Sequence, residues 1–289
     1  MANIELIKVL RERTGAGIMD CKKALEANND NVDNACDWLR EKGIAKQAKK
    51  ADRIAAEGLA LVHVCEKCGK ASVVEVNCET DFVANSDPFR NLTDSCAKAI
   101  LSDDCKTVED LVAATSKEFN DAAVKLGEKL SIRRFDTIVK KDGEGIGSYI
   151  HMGGKIAVLV LLKKDDVELA KGIAMHIAAN SPKYINESDI PTDVYDAELN
   201  IQKELVKNDP KLAGKPAAAL ENILKGKVHK VLAESVLADQ EFLMSPDKTI
   251  GQALKEKDNA VVSFVRYQVG EGIEKRVDNF AEEVMNQAK

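Results

Sequence analysis

Residues 73–84, VVEVNCETDFVA, constrain the fold more than any other stretch. Val73, Val74 and Val76 make a short β-branched run of the kind that suits a pleated, half-buried surface. The run gives way to Asn77, Glu79, Thr80 and Asp81, and a large aromatic, Phe82, follows at once. A strand that passes into consecutive polar residues has reached a turn, so Phe82 belongs to that turn and not to the strand's core. Two readings of it stay open: the ring folds back to staple the turn, or it projects. Ser86-Asp87-Pro88 then opens a helix.

The neighbouring patterns build on this strand. From Ala55 the hydrophobic period is two: Leu59, Leu61 and His63 alternate with Ala60, Val62 and Val64. Glu66-Lys67-Cys68-Gly69 reads as a turn and Ala71–Val76 as the returning strand of a hairpin. Phe89–Leu101 predicts an amphipathic helix, Leu111–Gly127 a second helix, and Leu130–Phe135 a third strand. The pattern then echoes itself. Gly145–Ile150 is a strand, His151-Met152-Gly153-Gly154 a turn, Ile156–Leu162 the return and Leu169–Ala179 a helix. Two hairpin-plus-helix units in tandem predict a core of two similar subdomains, each an antiparallel sheet backed by helices.

Residues 3–42 read as three short helices, broken at Gly15-Ala16-Gly17, capped by Asn31 and stopped at Gly43. Lys46–Arg53 reads as a solvated linker helix, with a basic RNA-binding tail as the alternative. Pro182, Pro191, Pro210 and Pro216 cluster around Thr192–Val206 and Ala217–Leu224, which predicts a helical hairpin inserted into the second subdomain. Val228–Ser235 reads as helix, Asp239–Met244 as extended and Thr249–Glu256 as helix. Ala260–Val269 is a final strand and Ile273–Ala288 a closing amphipathic helix. The expected class is α+β. Its parts are a helical domain with linker at 1–55, a core subdomain at 56–139 and a second at 140–184 and 229–264. The hairpin insert takes 185–228 and a C-terminal module 265–289.

Composition narrows the function. Charged residues are 31% and interspersed, and the net charge of −6 argues against nucleic acid as the main partner. MANIELIKVLRERTG has no apolar run behind a basic segment, so no secretory signal is expected, and no stretch reaches the roughly 20 apolar residues of a membrane span. Seven cysteines, an odd number without framework spacing, suit reduced thiols in a cytoplasmic protein. No G-x₄-G-K-[ST] is present, and Gly143-Glu144-Gly145-Ile146-Gly147 leads into a strand, without the helix N-terminus that holds a phosphate. The chain is not expected to bind a nucleotide or any other cofactor itself. His63, His151, His176 and His229 are scattered, and no Ser or Cys sits in a nucleophile elbow, so no enzyme is expected.

One metal motif needs weighing. Cys65 and Cys68 have the C-x₂-C spacing of a zinc knuckle, on a hairpin turn. A structural site wants four ligands; strand-paired Cys78 is the candidate third and His63 the fourth. No second pair of ligands follows, so two free turn thiols are the default and zinc the alternative.

Several blocks together resemble bacterial elongation factor Ts: LRERTGAGIMDCKKAL at 10–25, KQAKKA at 46–51, VNCETDFVAN at 76–85, IRR at 132–134, IAMHIAA at 173–179 and VRYQVGEGIEK at 265–275. The resemblance implies a ubiquitin-associated-like N-terminal domain, a two-part core, a helical-hairpin insert that forms a homodimer, and a C-terminal module. It implies guanine-nucleotide exchange on elongation factor Tu, bound both with GDP and nucleotide-free. Thr80, Asp81, Phe82 and Val83 would form the turn that enters the GTPase domain of Tu, where Phe82 wedges between helices and Mg²⁺ is dislodged. Arg11, Ile18 and Met19 would touch the same domain, Ile18 standing where the family often has Met. His151 and Met152 would meet another domain of Tu, and the helix from Ile273 would pack on the GTPase domain.

Overall fold

The structure is a computed structural model that describes residues 3–48, 50–102, 104–210, 212 and 215–274. Asn3 opens helix α1 (Ile4–Thr14) by accepting the Glu5 amide on its side chain, and Gly15, at φ +67°, closes it in the left-handed conformation that suits glycine. Helices α2 (Ile18–Ala27) and α3 (Val32–Ala48) follow, and Leu10, Cys21, Ala24, Leu25, Ala35 and Leu39 form the small core of the three. Gly43 does not stop α3. A Cβ there would lie 2.8 Å from Val124 Cγ2, so this glycine permits close approach to a neighbouring helix. Lys46–Arg53 is accordingly no separate linker helix: its first residues end α3, and the chain turns at 50–52.

Strands β1 (Glu57–Cys65) and β2 (Lys70–Cys78) pair antiparallel, with Glu57 opposite Cys78 and Cys65 opposite Lys70. A short helix α4 (Asp81–Ala84) occupies the expected turn, and α5 (Asp87–Ala99) lies against both strands. The expected helix over 111–127 is two helices, α6 (Val108–Ala114) and α7 (Ser116–Leu126). Thr115 parts them, its backbone at φ −107° and ψ 16° lying outside the helical range, while its buried hydroxyl donates back to the Leu111 carbonyl at 2.7 Å. Strand β3 (Ser131–Val139) completes a sheet of order β1-β2-β3.

Being central, β2 is covered on both faces. Val74, Val76 and Cys78 join Leu59, Phe89, Leu92, Leu111 and Ile132 in the main core. The fully buried Phe89 ring alone contributes about 1.5–3 kcal/mol of transfer free energy. The alternate residues carry a buried charge: Glu75, with no exposed side-chain surface, accepts from Arg133 (3.0 Å), Arg134 (2.7 Å), Asn77 (3.1 Å) and the Gly270 amide (2.8 Å). Burial pushes this carboxyl up, but the Gly270 amide, Arg134, Asn77 and Arg133 outweigh it and hold it below its ordinary value.

The second sheet has order β4-β5-β8, from Gly145–His151, Ile156–Leu162 and Val261–Gln268. Helix α8 (Val167–Asn180) comes after its hairpin, as α5 comes after the first. Helices α9 (Thr192–Lys207) and α10 (Ala217–Ala233) pack on each other. The segments expected as separate helices at 217–224 and 228–235 are one, because Gly226 does not interrupt α10. The expected extended run at 239–244 is only β6 (Glu241–Phe242), which pairs with β7 (Ser245–Thr249) ahead of α11 (Ile250–Glu256). The closing helix expected after Ile273 falls on residues 275–288, outside those described.

The chain divides into two compact units, one of residues 1–137, 150–157 and 267–289, the other of 138–149 and 158–266. The fold is mixed α and β with antiparallel sheets, and among the described residues no helix is long and apolar enough to cross a membrane.

Candidate functional site

The site forms where β2 runs out. Thr80 is the N-cap of α4: its hydroxyl accepts the Val83 amide at 3.4 Å, satisfying one of the free first-turn donors. Asn85 Nδ2 donates to the Asp81 carbonyl at 2.9 Å and Ser86 Oγ to the Val83 carbonyl at 2.7 Å, closing the other end. Ala84 is buried in the core and Val83 packs partly on it. The helix is thus fixed by its back face, and Phe82 is 86% exposed on the front. The ring does not fold back on the turn. Asp81 beside it is exposed as well.

Residues distant in sequence hold this turn. The Glu128 carboxylate accepts the Glu79 and Thr80 amides, each at 3.0 Å, and the Thr80 hydroxyl at 2.5 Å. Glu79 in turn accepts the Lys129 amide at 2.6 Å and pairs with Arg53 at 3.2 Å. Lys129 Nζ reaches back to the carbonyls of Ala51 (2.6 Å) and Arg53 (2.8 Å). The basic stretch before β1 therefore spends Arg53 on this bracing. None of Glu128, Lys129 or Arg53 was legible as part of the site, because a contact across 48 residues leaves no periodicity to read.

The other expected contact residues lie elsewhere in the same unit. Ile18 and Met19, 54% and 62% exposed, open α2 just past the glycine break, and Arg11 is exposed in the last turn of α1. Met152 is 74% exposed at φ +48° on the β4–β5 turn, and His151 precedes it, half-buried. Gly154 seats this turn: at φ +114° its carbonyl accepts the Ala60 amide at 2.7 Å, and a Cβ would meet Leu59 Cδ2 at 2.8 Å. Arg90 adds a bond to the Gly153 carbonyl at 3.2 Å. Ile273, half-buried, donates its amide to Gly270.

The proposed third zinc ligand is displaced. The hairpin register sets Cys78 at the opposite end from Cys65, eight residues or roughly 27 Å along the strands. Cys78 instead donates to the Thr80 carbonyl at 3.2 Å, and burial pushes its thiol up to about 12. Cys68 donates its amide to Cys65 Sγ at 3.3 Å, and hydrogen bonds from Cys68 lower the Cys65 thiol. Among the described residues, no three His, Cys, Asp or Glu side chains are placed to share a metal ion.

A family model described as Elongation factor TS matches residues 79–271, from the braced Glu79-Thr80 pair to the segment clasped by Glu75. The chain belongs to the elongation factor Ts family. Elongation factor Ts is a nucleotide exchange factor for elongation factor Tu in translation elongation. The matched span contains the Phe82 turn, the Arg133, Arg134 and Gly270 partners of Glu75, and strands β3 to β8. The N-terminal helices and the β1–β2 hairpin, Glu75 included, precede it.

Proposed function

We propose that this chain binds elongation factor Tu in its GDP-bound and nucleotide-free states and promotes GDP release by inserting Asp81 and Phe82 into the GTPase domain. The observation that carries the reading is an aromatic 86% exposed on a capped turn braced from behind. Phe82 enters between helices of Tu, the groups around the bound Mg²⁺ shift, and the ion and then GDP leave. GTP can then bind. The factor acts through differential binding: it favours nucleotide-free Tu, so factor and GDP weaken each other's binding by one common ratio. Burying one Phe is worth about 1.5–3 kcal/mol, or roughly one to two decades of weakened GDP affinity. Arg11, Ile18 and Met19 touch the same domain, His151 and Met152 a second domain of Tu, and Ile273 leads into a further contact. The exposure of Arg11, Ile18, Met19 and Met152 on the first unit supports their assignments, and the cytoplasm is the place of action.

The test is release of labelled GDP from Tu, with the parent chain and with Phe82→Ala. At saturating factor the stimulated rate should fall by about one to two decades, while binding to nucleotide-free Tu weakens by no more than about 1.5–3 kcal/mol. Lys106→Ala, on the exposed approach to α6, should change neither. Release as fast with Phe82→Ala as with the parent would overturn the assignment.

A further inference from the structure

A helix of four residues cannot hold its own shape, because nucleation fixes several residues for a single hydrogen bond. Something outside α4 must therefore set the direction in which Phe82 points. The anchoring from behind α4 converges on one side chain. Glu128, half-buried in the loop between α7 and β3, takes the Glu79 and Thr80 amides on one carboxylate oxygen and the Thr80 hydroxyl on the other. Successive backbone amides aimed at one anion form a nest, here filled by the chain's own carboxylate. An ionised carboxylate only accepts, so the Thr80 hydroxyl must turn its hydrogen toward Glu128. Its lone pairs are then left facing the Val83 amide, which donates to it at 3.4 Å. The relay runs from Glu128 through Thr80 to Val83 and brackets Asp81 and Phe82 between its two fixed points.

We propose that Glu128 is a positioning residue for nucleotide exchange: it orients Thr80 and the start of α4 so that Phe82 is presented in one direction. Glu128 itself need touch no partner. The backbone on which Phe82 stands is then ordered before docking, and the ordering cost does not fall on the encounter with Tu. The proposal rests on the assignment of exchange to Phe82 and is tested so that the two can fail separately.

The measurement is GDP release from Tu over a range of factor concentrations, with the parent, Phe82→Ala, Glu128→Ala and the double variant. Glu128→Ala should lower the saturating rate about tenfold, short of the roughly hundredfold that a misplacement of an ångström can cost a reacting group. The half-saturating concentration, set by the rest of the interface, should move far less. The double variant should match Phe82→Ala to within about threefold, since a brace has nothing left to position. In the free protein, the Glu79 and Thr80 amides should exchange with deuterium faster once Glu128 is removed. Glu128→Gln, which keeps an oxygen for both amides, should recover most of the rate.

A folded Glu128→Ala at the parental saturating rate, beside a slow Phe82→Ala, would overturn the positioning role and leave the Phe82 assignment standing. A parental rate for Phe82→Ala would remove the assignment beneath it. If Glu128→Ala does not fold, Thr80→Ser against Thr80→Val decides: the first keeps the hydroxyl relay, the second loses it in the same shape. Equal saturating rates for that pair would also overturn the proposal.

Discussion

The β1–β2 hairpin has two ends, and they are built on opposite plans. At the Cys65–Gly69 end, the bonds run between neighbours in sequence, as when the Cys68 amide donates to the Cys65 sulfur. At the Cys78–Phe82 end, Glu128, Lys129 and Arg53 converge from segments far away in the chain. Both ends carry exposed side chains, so exposure does not separate them. What separates them is support. A side chain shown on a cross-braced turn can transmit force to a partner, whereas one on a self-contained turn yields.

The thiols give the widest contrast. Cys65 ends β1 and Cys78 ends β2, yet burial pushes Cys78 up to about 12 while Cys65 is lowered. A raised thiol pKa means less thiolate at a given pH, so at pH 8 the buried Cys78 should be alkylated by iodoacetamide far more slowly than Cys65. Peptide mapping of the native protein with time checks this. Comparable rates at the two cysteines would mean that the Phe82 end opens freely, and the contrast would collapse.

Between the two ends, Glu75 on β2 is clasped by Arg133, Arg134, Asn77 and the Gly270 amide. Glu75→Ala leaves Arg133 and Arg134 without their buried partner and should cost about 3 kcal/mol in denaturant unfolding, at the low end for broken buried pairs because both guanidiniums keep some water. The folded carboxyl titrates below its ordinary value, so the unfolded chain binds the proton first. Its contribution is therefore full above the ordinary glutamate pKa and is lost as pH falls through the folded value. The parent should lose this share of stability on acidification, and Glu75→Ala should not. Parallel pH profiles for the two proteins would show that the clasp is unimportant.

The smallest effect is expected at the plain end of the hairpin. Protein alkylated at Cys65 and Cys68 should stimulate GDP release from Tu at the parental rate. A clear loss would give this turn a functional part and erase the distinction between the two ends.

Much of this was legible from residues alone. Alternation from Leu59 to Val64 and the valines of β2 specified the hairpin, since a period of two has one structural meaning. The polar run before Phe82 located the turn but left the ring's direction open. The brace decides that direction, and Glu128 and Lys129 are 48 to 50 residues, and Arg53 26, from the positions they hold. Gly43 misled: the backbone there stays helical, and the missing side chain makes room for Val124. Sequence shows that a Cβ is absent, not whether the absence serves a bend or a neighbour. Thr115 was the converse: an ordinary residue at which one helix ends and the next begins.

The join between α3 and α7 has a consequence for how the molecule meets a partner. Gly43 lies against Val124, and Arg40 pairs with Asp121 at 3.1 Å, so the three N-terminal helices ride on the body that carries Phe82. Ile18 and Met19 therefore arrive with Phe82 as one object. On the proposed assignment, docking of either patch would present the other at a high effective concentration, with the loss of translational freedom incurred a single time. Two modest patches on one joined body would then act with the avidity of a bivalent ligand, with no flexible tether to search.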